Sequence, residues 1–177
     1  MKIMQVIPSL ALGFGGPTEA VLNLSFSLAE LGEEVAIFTT NSNVKGVLQV
    51  PLEVPIEQRK VKIYYFSVQY PKHYKFSYGL AAALKKQIPG FDIVHIHSLF
   101  QFSTLAASYY CRKYRKPHII RPLGQLDPYL LKKSSLIKNI YIKLFERRNL
   151  SGSSAVHFTT EEERILSRKA GLEFKSF

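Results

Sequence analysis

The chain has 177 residues, 46% hydrophobic and 21% charged, which suits one globular domain with a core large enough to stand alone. Its single cysteine, Cys111, excludes a disulfide framework and fits a reducing compartment; no apolar run approaches the roughly 18 residues that a membrane span needs. A net charge of +11 leaves nucleic acid, an anionic lipid surface and a phosphorylated substrate open as partners.

In chain order, Lys2-Ile3-Met4-Gln5-Val6-Ile7 reads as a strand, and Leu12-Gly13-Phe14-Gly15-Gly16-Pro17 as a glycine-rich turn that opens a helix. Gly15 and Gly16 accept positive φ and let another molecule approach the backbone closely, while Pro17 suits the first helical position, where a missing N–H costs nothing. Val21, Leu24, Leu28 and Leu31 recur at helical spacing, with Leu22, Phe26 and Ala29 on a flank and Gly32 as the stop. Residues 34–39 are a second strand, completing a βαβ unit whose helix N-terminus points above the sheet edge. Residues 1–13 share the outline of a signal peptide, but Gln5 and Pro8 interrupt the apolar stretch, and it runs straight into the turn the helix needs.

Residues 41–59, with Gly46, Pro51 and Pro55 and no clear period, read as a long surface loop. Residues 61–66 form a third strand, and 67–76 a basic, aromatic loop. Leu80, Leu84 and Ile88 mark a helix that Pro89-Gly90 ends; residues 92–97 give a fourth strand. Phe102, Leu105, Ala106 and Tyr109 mark the next helix, and 117–121 a fifth strand followed by a long turn over 122–128. Leu136, Ile137, Ile140, Tyr141, Leu144 and Phe145 form an apolar stripe on a helix whose other side carries Lys138, Lys143, Arg147 and Arg148. Residues 155–159 are the last strand, and Thr160 with Glu163 is a capping box opening a final helix. Alternating strands and helices argue for an α/β domain, a parallel sheet covered on both faces, with ligands at the C-terminal edge of the strands.

Dinucleotide binding would need a third glycine and an acid at the end of the second strand; here Thr18 fills the slot and the strand ends Thr39-Thr40-Asn41, so an oxidoreductase domain is disfavoured. No Gly-Lys-Ser/Thr follows the glycines and no Gly-x-Ser-x-Gly appears. His95 and His97 alternate onto one strand face, but no third ligand accompanies them and no metal is expected; structural packing and a substrate-contacting His97 at the sheet edge both stay open. His118 and His157, the buried-helix Cys111 and the acids Glu161 to Glu163, which complement a helix dipole, read as structural. Between Lys132 and Arg148 six basic residues (Lys132, Lys133, Lys138, Lys143, Arg147, Arg148) stand against Glu146 alone, and the loop 70–76 sets Lys72, His73 and Lys75 among aromatics. Both stretches fit a solvated face or docking on anionic lipid. Charge scattered over several elements, without a recognised module, argues against nucleic acid.

The order of these motifs resembles the N-terminal half of GT-B-fold glycosyltransferases of the large retaining family 4. The resemblance rests on KIMQVIPSL…GFGGPTEAVLNLSFSLAELGEEVAIFTT, FDIVHIHSLF, KPHIIRPLGQLDPYLL and IKLFERRNLSGSSAVHFTTEEERILSRKAGL, and it covers almost the whole chain. It implies one three-layer α/β/α Rossmann-like domain over 1–177 with six to seven mostly parallel strands. It also implies an acceptor-side domain facing a nucleotide-sugar domain across a cleft. Gly15, Gly16 and Pro17 would then form the loop near donor phosphates and acceptor, with His97, Arg121, Gly124 and Asp127 on the acceptor side. The sequence departs from the pattern where Leu123 stands in place of a frequent histidine, leaving Arg121 as a candidate substitute. The family's Glu-x7-Glu motif and diphosphate clamp belong to a second domain, which is expected to lie elsewhere: in the rest of a truncated protein, a split gene's other product or a partner subunit. The chain alone is therefore expected not to turn over, and to need no cofactor beyond a nucleotide-sugar substrate held mainly by that other domain. The expected setting is cytoplasmic, peripheral on the inner face of the plasma membrane, in surface polysaccharide or glycolipid assembly. The rival expectation is a non-catalytic basic module that docks on a membrane or a protein partner.

Overall fold

In the computed structural model, which describes residues 1–126 and 140–169, seven strands form one sheet in the order β3-β4-β2-β1-β5-β6-β7. These are β1 (Lys2–Ser9), β2 (Glu34–Thr40), β3 (Pro55–Gln58), β4 (Val61–Phe66), β5 (Ile93–His97), β6 (His118–Arg121) and β7 (Ala155–Val156). All neighbours pair in parallel except β3, which runs antiparallel to β4. The helices are α1 (Gly16–Glu30), α2 (Tyr78–Gln87), α3 (Phe102–Lys113), α4 (Arg147–Ser151), preceded by a π-helical stretch (Ile142–Glu146), and α5 (Glu161–Lys169).

Strand alternation sorts the core onto two faces. Met4 and Val6 of β1 pack with Phe38, Val94 and Ile96 beneath Leu80, Leu84, Ala107 and Cys111 of α2 and α3. Ile3 and Ile7 point the other way, with Val35, Ile37 and Ile63, beneath Val21, Phe26 and Ala29 of α1. β1 lies between β2 and β5 and is buried from Ile3 to Ser9, which is why its sequence is a continuous apolar run rather than an alternating one.

Gly32 acts where expected, and a cap at Ser77 that was not anticipated from the sequence joins it. Gly32 (φ +92°) ends α1 in a Schellman motif: Glu33 N–H donates to Leu28 O (3.1 Å) and Gly32 N–H to Ala29 O (3.1 Å). Ser77 Oγ caps α2 by accepting from Leu80 N–H (3.2 Å).

Several expectations are corrected. The stretch 41–59 contains β3, an edge strand with its side chains half-buried or exposed, so no period-2 signal marked it; Pro55 is tolerated at its first position. The buried stripe of α1 is Thr18, Val21, Ser25 and Ala29 rather than the leucines; Leu31 is 79% exposed. Small side chains bring the helix close to the sheet, and Ser25 Oγ is satisfied by Val21 O (2.7 Å). In α3 the buried residues are again small (Ser103, Thr104, Ala106, Ala107, Ser108, Cys111), while Tyr109 is exposed. The last strand stops at Val156. In the helix from residue 140, Ile140, Leu144 and Phe145 are exposed, and Glu146, Asn149 and Leu150 are buried instead. The wide π turn inserts an extra residue and rotates the face presented to the core. Residues 136 and 137 of the expected stripe lie outside the described residues.

These helix phases are testable by urea unfolding. Leu84→Ala, at a fully buried site, should cost about 2–5 kcal/mol, whereas Leu31→Ala should stay within about 0.5 kcal/mol. Comparable losses from the two would contradict the packing described.

Candidate functional site

The strands β1, β5 and β6 all deliver their chains to the same rim. After β1, Leu12–Phe14 make a single 3-10 turn, and Gly15 then takes φ +71° to start α1 at Gly16. Residues 12–17 are exposed, and a Cβ at Gly15 or Gly16 would meet nothing within 4 Å, so this corner is bare backbone. Only Gly15 of the pair uses the left-handed region. Thr18, buried behind it, donates its hydroxyl to Ala11 O (3.1 Å) and fixes the corner to the loop below. The helix N-terminus behind the corner favours negative charge above it.

Beyond β5 the chain turns sharply through Ser98 (φ +76°) and Phe100 (φ +57°), with Gln125 Oε1 accepting from Ser98 Oγ (3.0 Å) and from Leu99 N–H. Beyond β6, Leu123 (φ +57°) and Gly124 (φ +78°) are both left-handed. Glu163 holds that turn: its carboxylate accepts from Gly124 N–H (2.5 Å) and Thr159 N–H (2.8 Å), while Thr160 Oγ1 caps α5 by accepting from Glu163 N–H (3.1 Å). A buried Glu146 ties the turn after β5 to the helix beyond, accepting from Phe100 N–H (2.6 Å) and Asn149 Nδ2 (3.1 Å), and burial pushes its carboxyl above the usual range.

Two clefts flank the glycine corner and share Pro17 and Leu123. One, of about 370 Å³, is lined by Gly16, Ala20, Arg121, Gly124, Thr160 and Glu163. The other, of about 210 Å³, is lined by Ser9, Phe14, Thr18, Lys75, Ser98 and Gln101. The sequence therefore anticipated the meeting of Gly16, Pro17, Arg121 and Gly124. It did not anticipate Lys75, Ser98 or Glu163; only the Thr160–Glu163 spacing hinted at the last.

His97 requires a correction, because it is fully buried and lines neither cleft. Alternation turns it with His95 onto the α1 side of the sheet, where the two rings lie 4.2 Å apart and His95 stacks 5.5 Å from His157. His97 Nε2–H donates to Gln5 Oε1 (2.7 Å). Gln5 Nε2, His95 Nε2, His97 Nδ1 and Arg121 Nε have no hydrogen-bond partner among the described residues, so a polar layer runs beneath the rim. Among the described residues no three His, Cys, Asp or Glu are arranged to hold a metal ion. Asp127, Lys132, Lys133 and Lys138 lie outside the described residues, as does the Lys143 side chain. Arg147 and Arg148 are exposed, and Arg148 lines the same groove as Leu144 and Phe145 rather than an opposite side.

Burial is the main cause that lowers the three facing histidines, His95 to about 3, with Arg121 and the neighbouring rings adding repulsion. They are neutral in the folded state near pH 7. The unfolded chain takes up their protons first, so stability is complete above about pH 6.5 and declines as pH falls toward the folded values. The slope is at most about 1.4 kcal/mol per pH unit per histidine. Urea midpoints measured at pH 7.5 and 5 should fall with acid, and His95→Gln should flatten that fall; an unchanged slope in the variant would remove His95 from the account.

A family model described as a glycosyl transferase 4-like domain matches residues 15–175. Comparison with curated protein sequences gives no match. Among solved structures, a sucrose-phosphate synthase from Thermosynechococcus elongatus superposes with a TM-score of 0.70 at 14% identity, over 100% of this chain and 47% of that one. Anabaena HepE, solved in complex with UDP and glucose, superposes with a TM-score of 0.67 at 14% identity, over 99% of this chain and 43% of that one. The chain thus spans about half the length of these two neighbours, and at such identities the likeness speaks for the fold. With the family match running over nearly its whole length, and a Rossmann-like sheet opening its clefts where strands end, the chain belongs to the glycosyl transferase 4-like domain family.

Proposed function

We propose that residues 1–177 form the acceptor-side domain of a retaining nucleotide-sugar glycosyltransferase that passes a hexosyl group to a saccharide or glycolipid. The observation that carries this reading is the bare corner at Gly15–Gly16, exposed between two clefts on the rim that also presents Arg121 and Gly124. A backbone without side chains admits close approach of a sugar or a diphosphate, and the α1 dipole favours the negative charge of a departing nucleoside diphosphate. Arg121, on the rim of the larger cleft, adds a fixed positive charge where such charge would build up. Glu163 sets the Leu123–Gly124 turn and so positions the cleft wall. HepE's complex with UDP and glucose supports a nucleotide-sugar as the donor class. The proposal assigns most donor contacts, and the charge-stabilising groups of the reaction, to a second domain in a longer protein or a partner. Cell-envelope polysaccharide or glycolipid assembly on the cytoplasmic side is the setting it fits.

Calorimetry of the chain with UDP-glucose should give binding of about 1 mM or weaker, near −4 kcal/mol. Micromolar binding would place the donor site within these residues and overturn the domain assignment.

A second reading concerns where the domain works, and it rests on exposed apolar side chains beside arginines. Ile140, Leu144 and Phe145 stand at the surface with Arg147 and Arg148, next to a groove of about 530 Å³ lined by Phe76, Tyr78, Phe102, Tyr109 and Arg112. Apolar side chains flanked by cations suit an anionic lipid surface. Among the described residues, no helix is long and apolar enough to cross a membrane. Phosphatidylglycerol vesicles should therefore sediment the chain at low salt while phosphatidylcholine vesicles should not. Leu144→Asp should weaken retention by about tenfold or more, given about 1.5–3 kcal/mol for one buried leucine. Failure of the anionic vesicles to retain the chain would remove this reading.

A further inference from the structure

Lys75 occupies an unusual place for a cation. It sits in the left-handed region (φ +50°, ψ +45°) at the end of a 3-10 turn, between two anchored aromatic residues. Tyr74 OH is 2.6 Å from Tyr141 OH, and the Phe76 ring packs 4.6 Å from Phe102. The loop is thereby pinned on both sides, and the Lys75 ammonium is directed over the Phe14 ring of the glycine corner, 4.9 Å from its centroid. Its one hydrogen bond among the described residues is a long one, 3.5 Å, to Gln101 Oε1.

Among the described residues no carboxylate pairs with this charge. The described residues lining the cleft with Lys75, among them Ser9, Thr18, Ser98, Gln101 and Gln125, include no Asp or Glu. The adjoining cavity, of about 320 Å³ on the other side of Phe14, adds Lys72 and His73 and again no acid. Burial lowers the Lys75 ammonium from its ordinary value, the response of a cation removed from water without a partner. The hydroxyls nearby are already engaged: Ser9 Oγ donates to Ser42 O (2.6 Å), Thr18 Oγ1 to Ala11 O (3.1 Å) and Ser98 Oγ to Gln125 Oε1 (3.0 Å). Lys75 is the one cation among the described residues lining this cleft and has no acid beside it there, whereas in the neighbouring cleft Arg121 shares the lining with Glu163.

We infer that Lys75 is a specificity residue that recognises an anionic group on the acceptor, a phosphate or carboxylate carried by a sugar seated between Phe14, Ser98 and Gln101. The inference deepens the acceptor-side reading above and rests on it for the sugar, though not for the anion. An ammonium held half out of water gains a charge-assisted hydrogen bond when such a group arrives, and a neutral sugar offers no equivalent. The aromatic face of Phe14 beside it gives a sugar ring an apolar floor.

The test is an amide NMR titration of the 177-residue chain with glucose, glucose 6-phosphate, glucuronate and inorganic phosphate, alongside the Lys75 Cε signal. Glucose 6-phosphate or glucuronate should shift Ser9, Phe14, Ser98 and Gln101, and raise the pH at which Lys75 titrates. Response to only one of them identifies the anion as phosphate or carboxylate. Lys75→Met should weaken binding by about tenfold, the loss of one charge-assisted bond, while Lys75→Arg should retain most of it. Lys75→Gln, with urea midpoints for all variants, separates lost recognition from lost folding. Inorganic phosphate binding as tightly as the sugar phosphate would uphold Lys75 as an anion site and count against a sugar acceptor there. Equal responses to glucose and glucose 6-phosphate, in wild type and Lys75→Met alike, would overturn the inference and leave the acceptor reading intact. Silence toward all four probes would overturn it too, while the UDP-glucose calorimetry judges the acceptor-side assignment independently.

Discussion

A parallel sheet buried on both faces leaves only its ends for chemistry, and that constraint organises this domain. β1 carries apolar residues to both sides, so neither face of the central strand is free for a ligand. Parallel strands all end at the same rim, and their connections start there together. The corner after β1, the turn after β5 and the turn after β6 are neighbours in space because β1, β5 and β6 are neighbours in the sheet. Backbone conformations that L side chains rarely adopt cluster at that rim: Gly15, Ser98, Phe100, Leu123 and Gly124 all have positive φ.

What the sequence disclosed follows from how local each signal is. The glycine corner was legible because Gly15, Pro17 and the helix they open act through the backbone of their own few residues. Gly32 is equally local. The strands β1 and β2 were legible because strands buried on both sides are nearly continuous apolar runs, and β4, β5 and β6 because β-branched and aromatic residues are concentrated in them. The edge strand β3 has no such run, and the antiparallel pairing that defines it lies in its contact with β4. Helix phase misled for a related reason. In α1 and α3 serine, threonine and alanine make up most of the buried face, since close approach needs small residues, and Leu31 and Tyr109 are exposed.

The site was half visible on the same grounds. Gly16, Pro17, Arg121 and Gly124 meet as their places at strand ends implied. Glu163 read as one of three acids at a helix start, yet its carboxylate reaches Gly124, 39 residues away. Lys75 read as one charge in a basic loop, and nothing nearby in sequence says that Tyr141 and Phe102 pin that loop over Phe14. His97 went the other way: its place at the end of β5 suggested the rim, but alternation puts the ring inside, against Gln5. Chain position locates a residue along a strand, and the side-chain period decides whether it faces a ligand or a neighbour.

The net charge of +11 says little until it is distributed. In the larger cleft positive charge is partly answered, because Glu163 lines it together with Arg121. In the smaller cleft the cation stands without an acid among the described residues. Among the described residues Pro17 and Leu123 line both clefts, and Pro17 follows the bare backbone of Gly15 and Gly16 in sequence. A ligand that bridged both clefts would pass Pro17 and Leu123, the residues the two linings share, close to the bare backbone of Gly16. On the proposed assignment this divides the labour of the rim: the cleft of Arg121 faces the charge that leaves with the donor, and the cleft of Lys75 faces the charge that the acceptor brings. The glycine corner then serves less through its own flexibility than through the open space it leaves beside the larger cleft.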